Sequence, residues 1–262
     1  MSVEQGPLRR FPGTGFAAGL FFFYLYVPIV VLLVLSFNAS RSATIWTGFS
    51  LDWYGVVLNN PDILRAAKNS LIVASTATVL ATVFATMAAL GMARSRFPGQ
   101  PAVSGLVVLP LIVPEIVTAV ATLLFFVLIG MRLGLATVTI AHTVFCIPFA
   151  YLPIRARLEG MDKTLIEAAA DLYANPWQAF RRVTLPLLWP GILSGAMLAF
   201  IISLDDFVIT YFVSGAGATT LPVYIFGMIR IGISPEVNAI STVMLAISVL
   251  FVSLSYLLAR RQ

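Results

Sequence analysis

The sequence predicts an all-α, polytopic membrane bundle of six transmembrane helices. Three observations predict it. Sixty per cent of the residues are hydrophobic and only ten per cent charged, with a mean hydropathy of +0.97, which leaves too little polar surface to cover a water-soluble globule of 262 residues. Six apolar runs approach the roughly 20 residues that a spanning helix needs. The Lys and Arg residues gather in alternate connections between those runs.

The first run, about Thr14 to Phe37, is longer than the core of a secretory signal and has no small-residue cleavage pattern after it, so it reads as a retained helix. The second, about Ser70 to Met92, is rich in Ala, Thr and Val. The third covers about Val103 to Ile129 with Pro110 and Pro114 inside it, and the fourth about Leu135 to Leu152 with Pro148 inside it and Pro153 just beyond. Kinks are expected at these prolines, with the freed carbonyls satisfied inside protein. The fifth spans about Leu187 to Val213 and the sixth about Val237 to Leu258. Small residues recur from Ala74 to Ala89 and in GILSGAMLA from Gly191, which suits close helix packing in a bundle or at a dimer face. Between the first two runs, LDWYGVVL is amphipathic and is expected along the membrane surface, Trp53 and Tyr54 at headgroup level.

Charge sets the orientation. With the amino terminus inside, the cytoplasmic segments hold eleven basic residues: Arg9, Arg10, Arg94, Arg96, Arg155, Arg157, Lys163, Arg181, Arg182, Arg260 and Arg261. The outer segments hold five: Arg41, Arg65, Lys68, Arg132 and Arg230. Positive loops stay inside, so both termini and the loop of about 153–186 are expected in the cytoplasm. The net charge of +5 is thereby a topology signal, and without a basic domain it gives no support to nucleic-acid binding. The expected organisation is an N-terminal part, 1–65, holding the first helix and the outer amphipathic segment, followed by a five-helix core, 66–262. Cys146 lies within the fourth helix and is the only cysteine.

The connection between the fourth and fifth helices is too regular for a passive linker. Asp162 is placed to cap a short helix with Leu165, Ile166, Ala169 and Leu172 at helical spacing. Asn175 then stands at an N-cap with Pro176 at the first helical position, and Trp177, Phe180 and Val183 recur three apart. A cytoplasmic helix pair showing apolar residues requires something to bury them.

The run EAAADLYANPWQAFRRVTLP, Glu167 to Pro186, resembles the Glu-Ala-Ala loop in permease subunits of binding-protein-dependent ABC importers, the MetI-like fold. KNSLIVASTATVLATVFATMAALGMAR resembles the opening of that family's core, and SLDDFVITYFVSG with TLPVYIFGMIRIGISPEVNAIST is similar to the PotC-like permeases for spermidine and putrescine. The resemblance implies a bacterial inner-membrane permease, working with an ATP-binding subunit in two copies, a second and related permease chain, and a periplasmic or surface binding protein. It implies that the loop docks the ATPase through Glu167, Ala168, Ala169, Asp171, Leu172, Tyr173, Ala174, Trp177 and Phe180. The motif's glycine is replaced by Tyr173. Glycine there permits positive φ, so with tyrosine the turn is expected to pass to Asn175 and Pro176 or the helix to run on.

No GxxxxGK[ST] loop is present, so ATP and Mg belong to the partner ATPase and this chain is expected to be non-catalytic, with no cofactor or metal of its own. Three acids lie in apolar helices: Glu115 in the third, and Asp205 and Asp206 in the fifth, about 27 Å along from Leu187. Each would cost roughly 2.5–3.5 kcal/mol at mid-bilayer facing lipid, so they are expected to face protein or water. They read either as a route for a cationic amine or as structural groups bonded to Ser203, Thr210, backbone carbonyls or a partner subunit. His142, with neither an HxxxH nor a Cys-His cluster, reads as a buried, hydrogen-bonded histidine, and the aromatic run from Phe21 as lipid or helix packing. The alternatives are an ABC permease for another solute (amino-acid derivative, opine, iron or oxyanion) and an ion-coupled secondary transporter in which the acids carry protons.

Overall fold

The computed structural model describes residues 13–40, 45–94, 97–162, 164–232 and 234–260, the side chains of 94 and 254–260 excepted. Of the basic residues that set the orientation, Arg9, Arg10, Arg41, Arg96, Lys163 and Arg261 lie outside the described residues, as do the side chains of Arg94 and Arg260.

Among the described residues twelve α-helices follow one another: α1 Thr14–Leu35, α2 Asp52–Asn59, α3 Pro61–Arg94, α4 Gln100–Ile112, α5 Glu115–Leu128, α6 Leu135–Glu159, α7 Thr164–Asp171, α8 Pro176–Ala179, α9 Leu185–Asp205, α10 Val208–Val213, α11 Leu221–Ile231 and α12 Pro235–Arg260. A π-helical turn, Phe180–Thr184, joins α8 to α9. Five described helices are long and apolar enough to cross a membrane, and six if the bent pair α4–α5 counts as one span.

Two expected spans are broken. The third is α4 plus α5, meeting at 109°. Val113 is extended (ψ 133°), as the residue before a proline tends to be, and Pro114 has no N–H to continue the ladder. The single fifth span expected over Leu187 to Val213 ends instead at Asp205. Asp206 turns extended (ψ 127°), and its carboxylate takes the amides of Ile209 and Thr210, the local competition by which Asp interrupts a helix. The fourth span, in contrast, runs unbroken through Pro148 and Pro153 to Glu159.

The described residues form two compact units, one containing α1, α2 and Met228–Val243, the other Asn60–Gly227 with the chain from Met244 on. In the first, α1 buries none of its residues. After it, Asn38 organises the chain: its Nδ2 donates to Ile45 O, its Oδ1 accepts from Thr47 N, and its carbonyl accepts from Trp53 Nε1. Tyr54 OH meets Ser36 Oγ at 2.7 Å. The polar ends of Trp53 and Tyr54, expected among lipid headgroups, are therefore engaged by this unit itself.

In the second unit, α3, α6 and α9 pack on one another. Ala74, Ala77, Ala81, Ala85 and Ala89 form the buried stripe of α3, while Val79, Val83, Phe84 and Met87 point outward. Small residues inside and large apolar ones outside invert a soluble helix and match packing in lipid. On α9, a Cβ at Gly195 would stand 2.5 Å from the Ala150 carbonyl oxygen of α6, and one at Gly191 would stand 2.6 Å from Arg157 Cβ. The small-residue faces thus serve packing within this bundle.

Candidate functional site

Glu115 and a pair of aspartates about 90 residues further along line one cavity. Glu115, Asp205 and Asp206 surround a space of about 400 Å³ together with Phe145, Phe149, Ile201, Ile202, Phe207 and Val208. Both helix breaks supply it. Glu115 is the first residue of α5, where the amino-terminal dipole favours a carboxylate, and the Asp pair sits where α9 gives way to α10. Among the described residues no Lys or Arg lines it, and the Phe145 and Phe149 rings lie 5.4 Å apart at its wall. Phe207 continues the aromatic wall toward Phe226, at 4.5 Å. Carboxylates attract ammonium groups by their opposite charge and aromatic faces by the ring quadrupole.

The adjacent aspartates are not equivalent. Asp206 is 7% exposed and saturated: it accepts from Ile209 N, Thr210 N and Thr210 Oγ1, and its Oδ1 is 3.2 Å from His142 Nε2. Asp205 is exposed and makes no hydrogen bond or ion pair among the described residues. Glu115 is half-buried and faces the same cavity as Asp206. Thr210 is a partner of Asp206, as the structural reading expects, but Ser203 is not: its hydroxyl meets His142 Nδ1 at 2.8 Å. His142 is buried and hydrogen-bonded as expected. Its link to Asp206 was not anticipated, because 64 positions separate the two and only tertiary packing joins them. A histidine in an otherwise apolar run was the available signal.

The connection after α6 forms the second candidate surface. The Thr164 backbone N–H donates to Asp162 Oδ1 at 2.9 Å, which holds that carboxyl below its ordinary range. Helix α7 then carries Glu167, Ala168, Ala169 and Asp171, of which Ala169 alone is buried. Leu172 is 82% and Tyr173 97% exposed. Tyr173, not Asn175, turns the chain: its φ is +59°. Ala174 N donates to Ala169 O and Tyr173 N to Ala170 O, the pair of bonds that closes a helix with one left-handed residue, usually glycine. Tyrosine therefore adopts the glycine conformation at this position, correcting the expectation that the turn moves on. Asn175 does cap α8 as expected, exchanging bonds with Gln178 in a capping box, with Pro176 first in the helix. Trp177 is exposed and Phe180 half-buried, their rings 5.6 Å apart. The expected separate second helix is instead the start of one continuous helical rod, Pro176–Asp205, 30 residues long.

A model of the binding-protein-dependent transport system inner membrane component matches residues 81–262. The chain belongs to that family. Among curated relatives, the family member described here is 40% identical to the spermidine/putrescine transport system permease protein PotC of Escherichia coli (strain K12), with 90% of each chain covered. It is 38% identical to the putrescine transport system permease protein PotI of the same organism, over 98% of this chain and 94% of that one. Two solved structures share the fold. One is a chain of a bacterial ABC transporter involved in the import of the acidic polysaccharide alginate, at TM-score 0.69 and 18% identity, covering 94% of each. The other belongs to an inward-facing MetNI methionine ABC transporter, at TM-score 0.64 and 22% identity, covering 76% of this chain and 94% of that one.

Proposed function

We propose that this permease passes polyamines, cations of the spermidine and putrescine class, through a pathway that includes the cavity between the two helix breaks. The observation that carries the reading is the meeting of Glu115 and Asp205 with Phe145, Phe149 and Phe207 at one cavity that no basic residue lines among the described residues. A primary ammonium entering it exchanges water for carboxylate and ring contacts, the latter worth about 0.5–2 kcal/mol each. Asp206 contributes negative potential but is committed to holding α10. The two relatives named for spermidine and putrescine support the same substrate class.

Energy comes from a separate ATP-binding subunit, two copies per transporter, which holds ATP and Mg. This chain is the non-catalytic membrane part, paired with a second, related permease and fed by a periplasmic or surface binding protein. Its place is the bacterial inner membrane with both termini cytoplasmic, following the excess of basic residues on that side. The ATPase docks on α7 and α8 through Glu167, Ala168, Ala169, Asp171, Leu172, Tyr173, Ala174, Trp177 and Phe180, with Ala169 packed beneath the exposed members of the set. Because α8 runs through the π turn into α9, a push at Trp177 is carried along one rod of roughly 45 Å to Asp205 at its far end. Closure of the ATPases thereby reaches the cation site without a slack joint.

The test is reconstitution of the permease pair with ATPase and binding protein in proteoliposomes. ATP-dependent uptake of radiolabelled spermidine or putrescine is expected. Uptake that persists without the ATPase would establish an ion-coupled transporter instead.

A further inference from the structure

We infer that His142 is a positioning residue of the cation pathway, clamping the break between α9 and α10 so that Asp205 stays turned to the cavity; the inference rests on the polyamine reading above. The imidazole comes from a third helix, α6, and is 1% exposed. Its Nδ1 lies 2.8 Å from Ser203 Oγ in the last turn of α9. Its Nε2 lies 2.8 Å from Thr210 Oγ1 in α10 and 3.2 Å from Asp206 Oδ1. One ring therefore grips the chain on both sides of the interruption at Asp206 and Phe207.

The physical need for such a clamp follows from the break. A helix interrupted inside a membrane domain must have its freed polar groups satisfied by protein. Asp206 does so for the amides of Ile209 and Thr210, and a buried carboxylate in that role needs a partner of its own. Ser203, His142, Thr210 and Asp206 satisfy one another as a closed network, which rigidifies what it joins. Asp205 takes no part in that network; the backbone of the clamped break sets its direction. A binding carboxylate held by a packed support retains its geometry, whereas an unsupported one does not.

The experiment uses the full transporter in proteoliposomes and reads spermidine moved per ATP hydrolysed, a ratio that poor folding or low yield does not alter. Leucine at 142 removes both ring contacts, asparagine mimics the Nδ1 side and glutamine the Nε2 side. His142→Leu is expected to lower the ratio about tenfold, the loss of a buried charged-group hydrogen bond. His142→Gln, which keeps the bonds to Asp206 and Thr210, is expected to restore it to within about threefold, and His142→Asn is not. An unchanged ratio in His142→Leu, or equal ratios in the Gln and Asn variants, overturns the inference. If the Leu variant does not assemble, the Gln and Asn pair decides. Asp205→Asn run in parallel separates the two claims: a normal ratio there defeats the polyamine-pathway reading and the inference with it. A low ratio there beside a normal His142→Leu defeats the inference alone.

Discussion

His142 Nε2 stands 3.2 Å from Asp206 Oδ1, both side chains 2% exposed, so of two successive aspartates the second is consumed by the fold and the first is free. Asp206→Asn removes charge from a buried pair and weakens the cap on α10. It is expected to destabilise the solubilised complex by about 1–3 kcal/mol and to lower its melting temperature. Asp205→Asn is expected to leave the melting temperature unchanged. Thermal melts of the two variants side by side test the distinction, and equal melting temperatures contradict it.

Tyr173 holds φ +59° at the residue that closes α7, a conformation that costs a non-glycine side chain roughly 1–2 kcal/mol. Tyr173→Gly is expected to recover about 1 kcal/mol locally, slowing hydrogen exchange at the Ala174 amide, which donates to Ala169 O. Slower exchange measured by mass spectrometry supports the turn; faster exchange shows that the tyrosine side chain stabilises it.

Gly195 is where α9 approaches α6 most severely against backbone, its absent Cβ 2.5 Å from the Ala150 carbonyl oxygen. Gly195→Ala forces the helices apart and is expected to cost about 1–3 kcal/mol, read as lost yield of assembled complex. Gly227→Ala meets nothing within 4 Å and serves as the tolerated comparison.

Much of this was legible in the sequence, and most of what was not depends on tertiary packing. Six apolar runs, the alanine stripe of α3 and the Asn175–Pro176 helix start depend on local spacing, and all are present. Local spacing predicts a kink at Pro114 and helix interior at Asp206, yet both are breaks, while proline is tolerated within a helix at Pro148 and Pro153. Whether proline breaks a helix depends on tertiary partners for the freed groups. The meeting of Glu115 with Asp205, and of His142 with Asp206, arises from packing among α5, α6, α9 and α10. Tyr173 misled for a different reason: residue preference spoke against positive φ, and the closing bonds to Ala169 and Ala170 outweighed it.

Glu167 is exposed on α7, away from the core clusters. Glu167→Lys is expected to leave membrane insertion and melting temperature intact while uptake falls at least about tenfold, as for loss of a charged interface contact. Full uptake in that variant reduces the loop to a connector.

The most direct measurement is ATP-driven spermidine uptake by the complete transporter carrying Glu115→Gln together with Asp205→Asn. With both free carboxylates neutralised and Asp206 left to hold the fold, assembly and ATP hydrolysis are expected to persist while uptake falls by about two orders of magnitude, roughly 1.4 kcal/mol for each lost carboxylate. Uptake at the unmodified rate would contradict a cation pathway between the two helix breaks.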